Sequence, residues 1–143
     1  MQKFRLLNSD ESQAVLDLWS IAGLSHRPNG RDTIANLARQ FNEPNTIFLG
    51  GFYAENLVSV AIVSHNGRKG WINRLAVNPN HRRKNFASEL IGESEKWLLQ
   101  NGIEIYAVLI EDYNDESMKL FEKNGYESHK EIIYYTKKLR QDV

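Results

Sequence analysis

The feature that most constrains the fold is a helical segment enclosed by two strand-like segments. "WINRLAVN" at 71–78 and "IEIYAVLI" at 103–110 have the apolar, β-branched character of strands, and residues 85–100 place apolar side chains at helical spacing. A helix in this position has room to link two parallel strands by a crossover. In open sheets of this kind, ligands bind at the carboxyl ends of the strands, beside the following helix. We therefore expect a site where the first of these two strands ends.

The flanking segments predict a mixed α/β sheet built around an antiparallel hairpin. In chain order they are a strand at 3–8, helices at 9–24 and 32–42, a hairpin at 45–65, a helix at 114–125 and one or two closing strands at 126–139. The expected helix N-caps are, in order, Ser9 or Asp10, then Asp32, then Asn114 or Asp115. We expect residues 1–143 to form a single domain, because a chain of this length can bury a sufficient core.

Charge and cysteine content exclude several classes of function. The chain carries 18 Lys and Arg against 18 Asp and Glu, and this balance disfavours a general nucleic-acid binder. It has no cysteine, so a disulfide, a thiolate nucleophile and a thiolate metal site are impossible. The four histidines lack metal-like spacing, and we expect no metal. No apolar run near Met1 resembles a signal peptide or a membrane span, so a cytoplasmic protein without a membrane partner is expected.

A turn with three cations leads into the central helix in "NPNHRRKNFASEL", residues 78–90. The first turn of a helix has unpaired N–H groups, and the small residues Ala87 and Ser88 would let a ligand approach them. Arg82 has the geometry to grip two phosphate oxygens. These residues favour a phosphate-bearing ligand. The alternative is an exposed basic turn in which Phe86 and Leu90 belong to the core.

The same stretch resembles the cofactor segment of the GNAT N-acetyltransferase superfamily, whose members use acetyl-CoA. The family pattern begins with Arg or Gln, continues after two residues with Gly, and ends after one more residue with Gly or Ala. In this chain the three positions are Arg82, Asn85 and Ala87. Further on, "NDESMKLFEKNGYE" resembles the closing helix of the family. The resemblance implies a mostly antiparallel sheet with a parallel pair splayed at the cofactor site and about four flanking helices. The cofactor-binding residues that it implies are Leu75, Ala76, Val77, Arg82, Arg83, Lys84, Asn85, Phe86, Ala87, Ser88, Asn114, Ser117 and Phe121.

Three residues depart from the family pattern. Asn85 stands where glycine is usual, and Asn is the non-glycine residue that best tolerates a positive φ. Phe121 replaces a tyrosine placed in many relatives to protonate the leaving thiolate, and Asn73 lies where several relatives carry a glutamate proposed as general base. Other groups must then carry protons, and the candidate catalytic residues are Glu111, Asp112 and Tyr126. Glu111 and Asp112 also fit a solvated acidic turn, and Tyr126 also fits the core.

The resemblance implies acetyl transfer to a primary amine of a small molecule or a protein, directly within a ternary complex. Candidate acceptor-binding residues are Arg27 and Arg31, which could recognise a carboxylate or phosphate, together with Asn73. The first alternative is an acyl-CoA-binding protein of the same fold with little or no activity. The second is a module for nucleic acid or another anionic partner that uses the basic turn. A homodimer is compatible with the resemblance, and the sequence does not name the amine.

Overall fold

The structure is a computed structural model that describes residues 1–82 and 84–143. These residues form one five-stranded sheet in the order β1-β2-β3-β4-β5, with four α-helices around it. The elements are β1 (Lys3–Leu6), α1 (Ser12–Ala22), α2 (Ile34–Gln40), β2 (Thr46–Tyr53), β3 (Asn56–His65), β4 (Gly70–Val77), α3 (Phe86–Gln100), β5 (Tyr106–Ala107) and α4 (Asp115–Lys123).

The sheet is antiparallel from β1 to β4, and β4 pairs with β5 in parallel. Helix α3 makes the crossover between these two parallel strands, as the sequence predicted. The fold class is therefore confirmed: a mixed, mostly antiparallel sheet carries one parallel pair and is flanked by helices.

Apolar side chains of alternate residues point to opposite faces of the sheet, which gives the protein two core layers. On β3, Val60 belongs to the layer beneath α1 and α2, whereas Val63 belongs to the layer beneath α3. Trp19 of α1 is among the largest buried side chains of the first layer, and Leu90 of α3 is fully buried in the second. The sheet is thus covered on both faces by helices.

A bulge interrupts β4 near its middle. Val60 of β3 faces Ala76 and Ile62 faces Asn73, so Ala61 lies opposite two residues of β4. One of these two, Arg74, has a φ of 54°, in the left-handed region that side chains other than glycine rarely adopt. The bulge turns the strand locally and directs the side chain of Arg74 toward α1.

Two predictions near the ends of the chain were wrong. Residues 127–143 form no strand, although one or two closing strands were predicted at 126–139, and these residues are largely exposed. The N-cap at the start of the first helical segment is Asn8 rather than Ser9 or Asp10. The Asn8 side chain accepts a hydrogen bond from the Asp10 N–H, and Glu11 accepts one from the Asn8 N–H.

Over the described ranges, the structure shows neither a metal-binding cluster nor a membrane-spanning helix. No set of three or more His, Asp and Glu residues within 1–82 and 84–143 is arranged to hold a metal ion. Over the same residues, no helix combines the length and the apolarity needed to cross a bilayer.

Candidate functional site

The two parallel strands separate soon after they meet. Across the described residues, β4 and β5 pair only at Gly70 with Tyr106 and at Trp71 with Ala107. Beyond Trp71, the edge of β4 that faces β5 is open. Successive N–H groups of a strand point to opposite edges. The Asn78 N–H donates to the Val58 carbonyl on β3, so the preceding N–H, that of Val77, points to the open side.

The open edge of β4 leads to the first turn of α3. Asn85 stands at the N-cap with φ 67° and ψ 15°, and within the described chain its side chain makes no capping hydrogen bond. The first helical hydrogen bond runs from the Glu89 N–H to the Asn85 carbonyl, 3.1 Å away. The N–H groups of Phe86, Ala87 and Ser88 precede it and are free of helical partners by construction. This turn therefore presents a row of amide donors and the positive end of the helix dipole.

The ring of Phe86 is not part of this donor row. It is 3% exposed and packs with Val58 and Val77, and it also stacks on His81 with 5.8 Å between ring centroids. The sequence placed Phe86 among the cofactor-binding residues; the structure leaves only its backbone N–H for that role. Ala87, the next residue, is half-buried and has only a methyl group to fill the space.

The cations of the turn are held in specific contacts. The Arg82 guanidinium donates to the Ala22 carbonyl, at the end of α1, across 2.9 Å. The Lys84 ammonium lies 5.4 Å from the centroid of the Tyr53 ring. Arg83, also expected to bind the cofactor, lies outside the described residues. Arg82 thus connects the turn after β4 with α1, and its other N–H groups remain for an anion.

Helix α4 lies beside the first turn of α3. The Asn114 side chain caps α4 by accepting from the Ser117 N–H across 3.1 Å, as predicted. At the other end of α4, the Asn124 amide donates to the Ser88 hydroxyl across 3.1 Å. This hydrogen bond fixes Ser88 relative to α4. Phe121 is 4% exposed and lies in the core layer beneath α3, so its ring is a packing element.

The loop between α1 and α2 is joined to β4 by the hydrogen bond from the Arg74 guanidinium to the Ser25 carbonyl. Asp32 is buried, and its carboxylate accepts from the Arg27 N–H across 2.6 Å while its own N–H donates to the Arg27 carbonyl. The predicted cap role of Asp32 was wrong: Thr33 caps α2 by accepting from the Asn36 N–H. Asp32 instead closes the loop, and the side chains of Arg27 and Arg31 project into solvent.

Arg74 is a residue beside the candidate site that the sequence analysis did not single out. Its guanidinium donates to the Ser25 carbonyl across 2.6 Å and lies 4.5 Å from the centroid of Trp19. Burial lowers the pKa of Arg74, the Asp32 carboxylate opposes that shift, and the charge of Arg31 adds to it. A charged residue within the strand "WINRLAVN" was the available signal. The adjacent Asn73, expected to contact the acceptor, is half-buried opposite Ile62.

The three candidate proton carriers lie in different surroundings. Glu111 and Asp112 follow β5 and are exposed near the end of α4 where Asn114 is the cap. The Tyr126 hydroxyl instead donates to the Glu95 carboxylate across 2.7 Å, well along α3 from its first turn. Burial, and then the Glu95 hydrogen bond, raise the pKa of Tyr126, so it retains its proton. Its surroundings favour a structural role.

Comparison with known proteins yields one family. The model of the acetyltransferase (GNAT) family matches residues 12–126. The chain is 26% identical over 140 residues to an acetyltransferase of Sodalis glossinidius (strain morsitans), covering 98% of this chain and 97% of the relative. It is also 26% identical over 141 residues to an acetyltransferase of Photorhabdus laumondii, covering 98% and 97% of the two chains.

Solved structures share the fold at lower identity. The aminoglycoside N-acetyltransferase AAC(6')-Iy, in complex with a bisubstrate analogue, superposes with a TM-score of 0.80 at 18% identity, over 96% of this chain and 99% of that one. The PaiA N-acetyltransferase of Thermoplasma acidophilum, in complex with coenzyme A, superposes with a TM-score of 0.77 at 18% identity. The superposition covers 90% of this chain and 91% of that one. With a family match over most of its length and acetyltransferase relatives along nearly all of it, the chain belongs to the GNAT family of acetyltransferases and is an acyltransferase.

Proposed function

We propose that the protein transfers the acetyl group of acetyl-CoA directly to a primary amine while donor and acceptor are bound together. The observation that carries this proposal is the open edge of β4 leading into the uncapped first turn of α3. An open strand edge offers hydrogen bonds to an amide-containing chain, and free helix amides offer them to a pyrophosphate. We take residues 1–143 as one domain that contains both halves of the site.

The donor would lie along one continuous surface. The backbone of 75–77 would pair with its pantetheine arm, and the amides of 86–88 would hold its pyrophosphate. The side chains of Arg82, Arg83 and Lys84 would neutralise phosphate charge. Asn114 and Ser117, at the start of α4, would line the other side of the cleft. This placement is supported because the splayed edge, the amide row and the two described cations of the turn follow one another along the chain.

Acetyl transfer needs a leaving thiolate, a polarised thioester carbonyl and a neutral amine. The chain would meet these needs with few titratable groups. Acetyl-CoA supplies a thioester whose thiolate is a good leaving group. The Val77 N–H, on the open edge, would donate to the oxygen that gains charge. Holding the two reactants together supplies on the order of 7–11 kcal/mol in ideal cases. An alkyl amine with a pKa near ~10.4 must also lose a proton, which Glu111 or Asp112 would accept through water.

The acceptor would be an amine that also carries an anionic group. The solved relatives named aminoglycoside acetyltransferases favour a small-molecule amine over a protein amine. Arg27 and Arg31 project from the loop opposite β4, and Arg74 lies beneath it, whereas the carboxylate of Asp32 is buried. This excess of positive charge would attract a carboxylate or phosphate and would repel a purely cationic acceptor.

A second candidate function is acyl-CoA binding with little or no transfer. It is favoured by Phe121, a buried ring without a titratable group where many relatives carry a tyrosine. The two candidates predict the same donor site and differ only in turnover. Release of CoA thiol in the presence of amines, above the rate without them, separates the two. The amine panel should include amino acids and amino-phosphates as well as amino sugars.

The donor site is tested first by thermal unfolding with and without acetyl-CoA. A ligand at ~100 times its dissociation constant adds about 2.7 kcal/mol, which raises the midpoint by several degrees. Ala87→Leu should abolish this rise, because the larger side chain would occupy the space of the pyrophosphate. Gly92→Leu is the matched control: it lies on the same helix, and a Cβ there meets no atom within 4 Å. An equal rise in both variants would place the donor elsewhere.

A further inference from the structure

A buried carboxamide lies directly before β1 and contacts the first turn of α3. Gln2 is 5% exposed, although glutamine side chains are mostly found at protein surfaces. Its Nε2 donates to the Phe86 carbonyl across 2.9 Å and to the Glu89 carboxylate across 3.0 Å. Its Oε1 accepts from the Ser59 hydroxyl across 2.5 Å. The amide therefore uses both of its N–H groups and its oxygen, and it ties β3 to the start of α3.

The sheet has room for this carboxamide because a glycine lies beside it. A Cβ added to Gly51 of β2 would overlap the Gln2 amide oxygen and the Ser59 hydroxyl. The register of β2 against β3 shifts between Gly51 and Phe52, at the same place. Ser59 is itself fully buried. A buried polar network in which every group has its partner is rigid, so Gln2 holds one orientation.

The Phe86 carbonyl shares a peptide plane with the Ala87 N–H. This peptide is trans, so the two groups are coplanar and point in opposite directions. A donor that holds the Phe86 carbonyl therefore also sets the direction of the Ala87 N–H. The carbonyl has two lone pairs and can accept from Gln2 in addition to the helical N–H of Leu90. The second donor also polarises the peptide, which makes the Ala87 N–H a stronger donor.

The same side chain restrains the Glu89 carboxylate in the first turn of α3. This carboxylate accepts from Gln2 Nε2 and, across 3.3 Å, from the Gln2 backbone N–H. A helix N-terminus stabilises negative charge, so an unrestrained carboxylate in the first turn would compete with an anionic ligand for the helix amides. Gln2 holds the carboxylate at the start of β1 instead.

We infer that Gln2 is a positioning residue for acetyl-CoA, which acts through the Phe86 carbonyl on the Ala87 amide. The inference rests on the proposed function, in which this amide holds the pyrophosphate of the donor. Gln2 does not touch the donor itself. It fixes the direction and the strength of an amide that does, and it keeps the Glu89 carboxylate away from the same amides.

Replacement of Gln2 should weaken the binding of acetyl-CoA. Gln2→Met keeps the length of the side chain and removes its three polar contacts. In calorimetric titration, the dissociation constant of acetyl-CoA should rise by roughly tenfold, the change expected for the loss of one hydrogen bond. Ser59→Ala is the matched control, because it breaks the same buried network but leaves Gln2 on Phe86 and Glu89. Its urea midpoint should fall, while its dissociation constant should stay near the wild-type value.

An exchange of two side chains separates positioning from stability. Gln2→Glu combined with Glu89→Gln still pairs a carboxylate with a carboxamide and still offers an acceptor to Ser59. It leaves no donor at residue 2 for the Phe86 carbonyl. The double variant should regain much of the urea midpoint that Gln2→Glu alone loses, and it should bind acetyl-CoA as weakly as Gln2→Met. Wild-type affinity in the double variant would overturn the inference.

The Ala87 amide can also be observed without a ligand. In proton–nitrogen NMR spectra of the free protein, its cross-peak should move in Gln2→Met and stay in place in Ser59→Ala. An unmoved peak, together with equal acetyl-CoA affinities of Gln2→Met and wild type, would overturn the inference and leave the proposed donor site intact. A wild-type protein that binds no acetyl-CoA would instead overturn the proposed function, and the inference with it.

Discussion

The guanidinium of Arg74 donates a hydrogen bond to the carbonyl of Ser25 across 2.6 Å, and its Cζ lies 4.5 Å from the centroid of the Trp19 ring. Arg74 belongs to the strand proposed to hold the acetyl donor, and Ser25 belongs to the loop proposed to face the acceptor. A single half-buried side chain thus joins the two halves of the proposed site. The left-handed backbone of Arg74, part of the β4 bulge, makes this contact possible.

Replacement of Arg74 should affect the acceptor more than the donor. Arg74→Gln removes a charged hydrogen bond of a kind that contributes roughly 1.5–3 kcal/mol to stability, and with it the tie that holds the loop at Ser25. Because the released loop would no longer hold the acceptor in place, the acceptor KM should rise about tenfold. The dissociation constant of acetyl-CoA should stay near the wild-type value. Steady-state kinetics with an amine that supports CoA release, together with acetyl-CoA titration, measures both quantities.

Arg5 provides a matched control for Arg74. It also lies over an aromatic ring, with its Cζ 4.4 Å from the centroid of Phe52, and it pairs with Glu11 at the surface, away from the site. Arg5→Gln should leave both kinetic constants unchanged. If Arg74→Gln weakened donor and acceptor binding equally, the proposed division between strand and loop would be incorrect.

Asn85 should tolerate glycine and reject alanine. Its φ of 67° costs an ordinary L-residue roughly 1–2 kcal/mol, a cost that glycine avoids and asparagine reduces. Asn85→Ala should therefore lower the free energy of unfolding by about 1 kcal/mol and reduce the thermal shift given by acetyl-CoA, because the first turn of α3 is displaced. Asn85→Gly should retain the wild-type free energy of unfolding and the thermal shift given by acetyl-CoA. Urea denaturation and ligand-induced melting test these expectations, and an alanine variant as stable as wild type would contradict them.

The sequence predicted the crossover and the order of elements as far as α4, because these depend on periodicity within single segments. Residues 85–100 show helical spacing, and "IEIYAVLI" is a nearly continuous apolar run. Both signals are local and do not depend on the rest of the chain. The same reasoning failed for "EIIYYTKKL". Strand propensity measures how well a residue suits a pleated, half-buried surface, and no described strand in the chain provides that surface for this segment.

The start of α3 was predictable from the sequence, whereas contacts between segments that are distant in the sequence were not. Helix α3 begins at Phe86, after the open strand β4 and the cations of the turn, as the helical spacing of residues 85–100 indicated. Arg74 was missed because its partners, Trp19 and Ser25, are distant in sequence, and because a bulge rather than a strand residue directs it toward them. The contact of Tyr126 with Glu95 is likewise a tertiary feature that the closing motif does not encode.

Tyr126 should prove structural rather than catalytic. Tyr126→Phe removes its hydrogen bond to Glu95 and should lower the free energy of unfolding by about 1 kcal/mol with kcat unchanged. The pKa of Tyr126 is raised above the value near 10 of an unfolded tyrosine, so its contribution is complete below about pH 10 and is lost as the pH rises further. The stability of the wild type should thus decline more steeply above pH 10 than that of Tyr126→Phe.

Tyr113→Phe controls for the loss of a tyrosine hydroxyl. Because Tyr113 is 78% exposed, this change should leave the free energy of unfolding unaltered at both pH values of the test. Denaturant unfolding at pH 8 and pH 11 gives the comparison. A Tyr126→Phe variant with wild-type stability and a kcat reduced by a large factor would instead assign the hydroxyl a role in proton transfer.

Glu111 should control how acetyl transfer depends on pH. Glu111→Gln keeps the size of the side chain but cannot accept a proton, so kcat/KM at pH 7 should fall by roughly tenfold or more. The difference in kcat/KM between Glu111→Gln and wild type should shrink as the pH approaches ~10.4, because much of the amine is then already deprotonated. Glu116→Gln, on the exposed first turn of α4, is the control. Equal pH–rate profiles for Glu111→Gln and wild type would leave Asp112 as the proton acceptor, which Asp112→Asn would then test in the same assay.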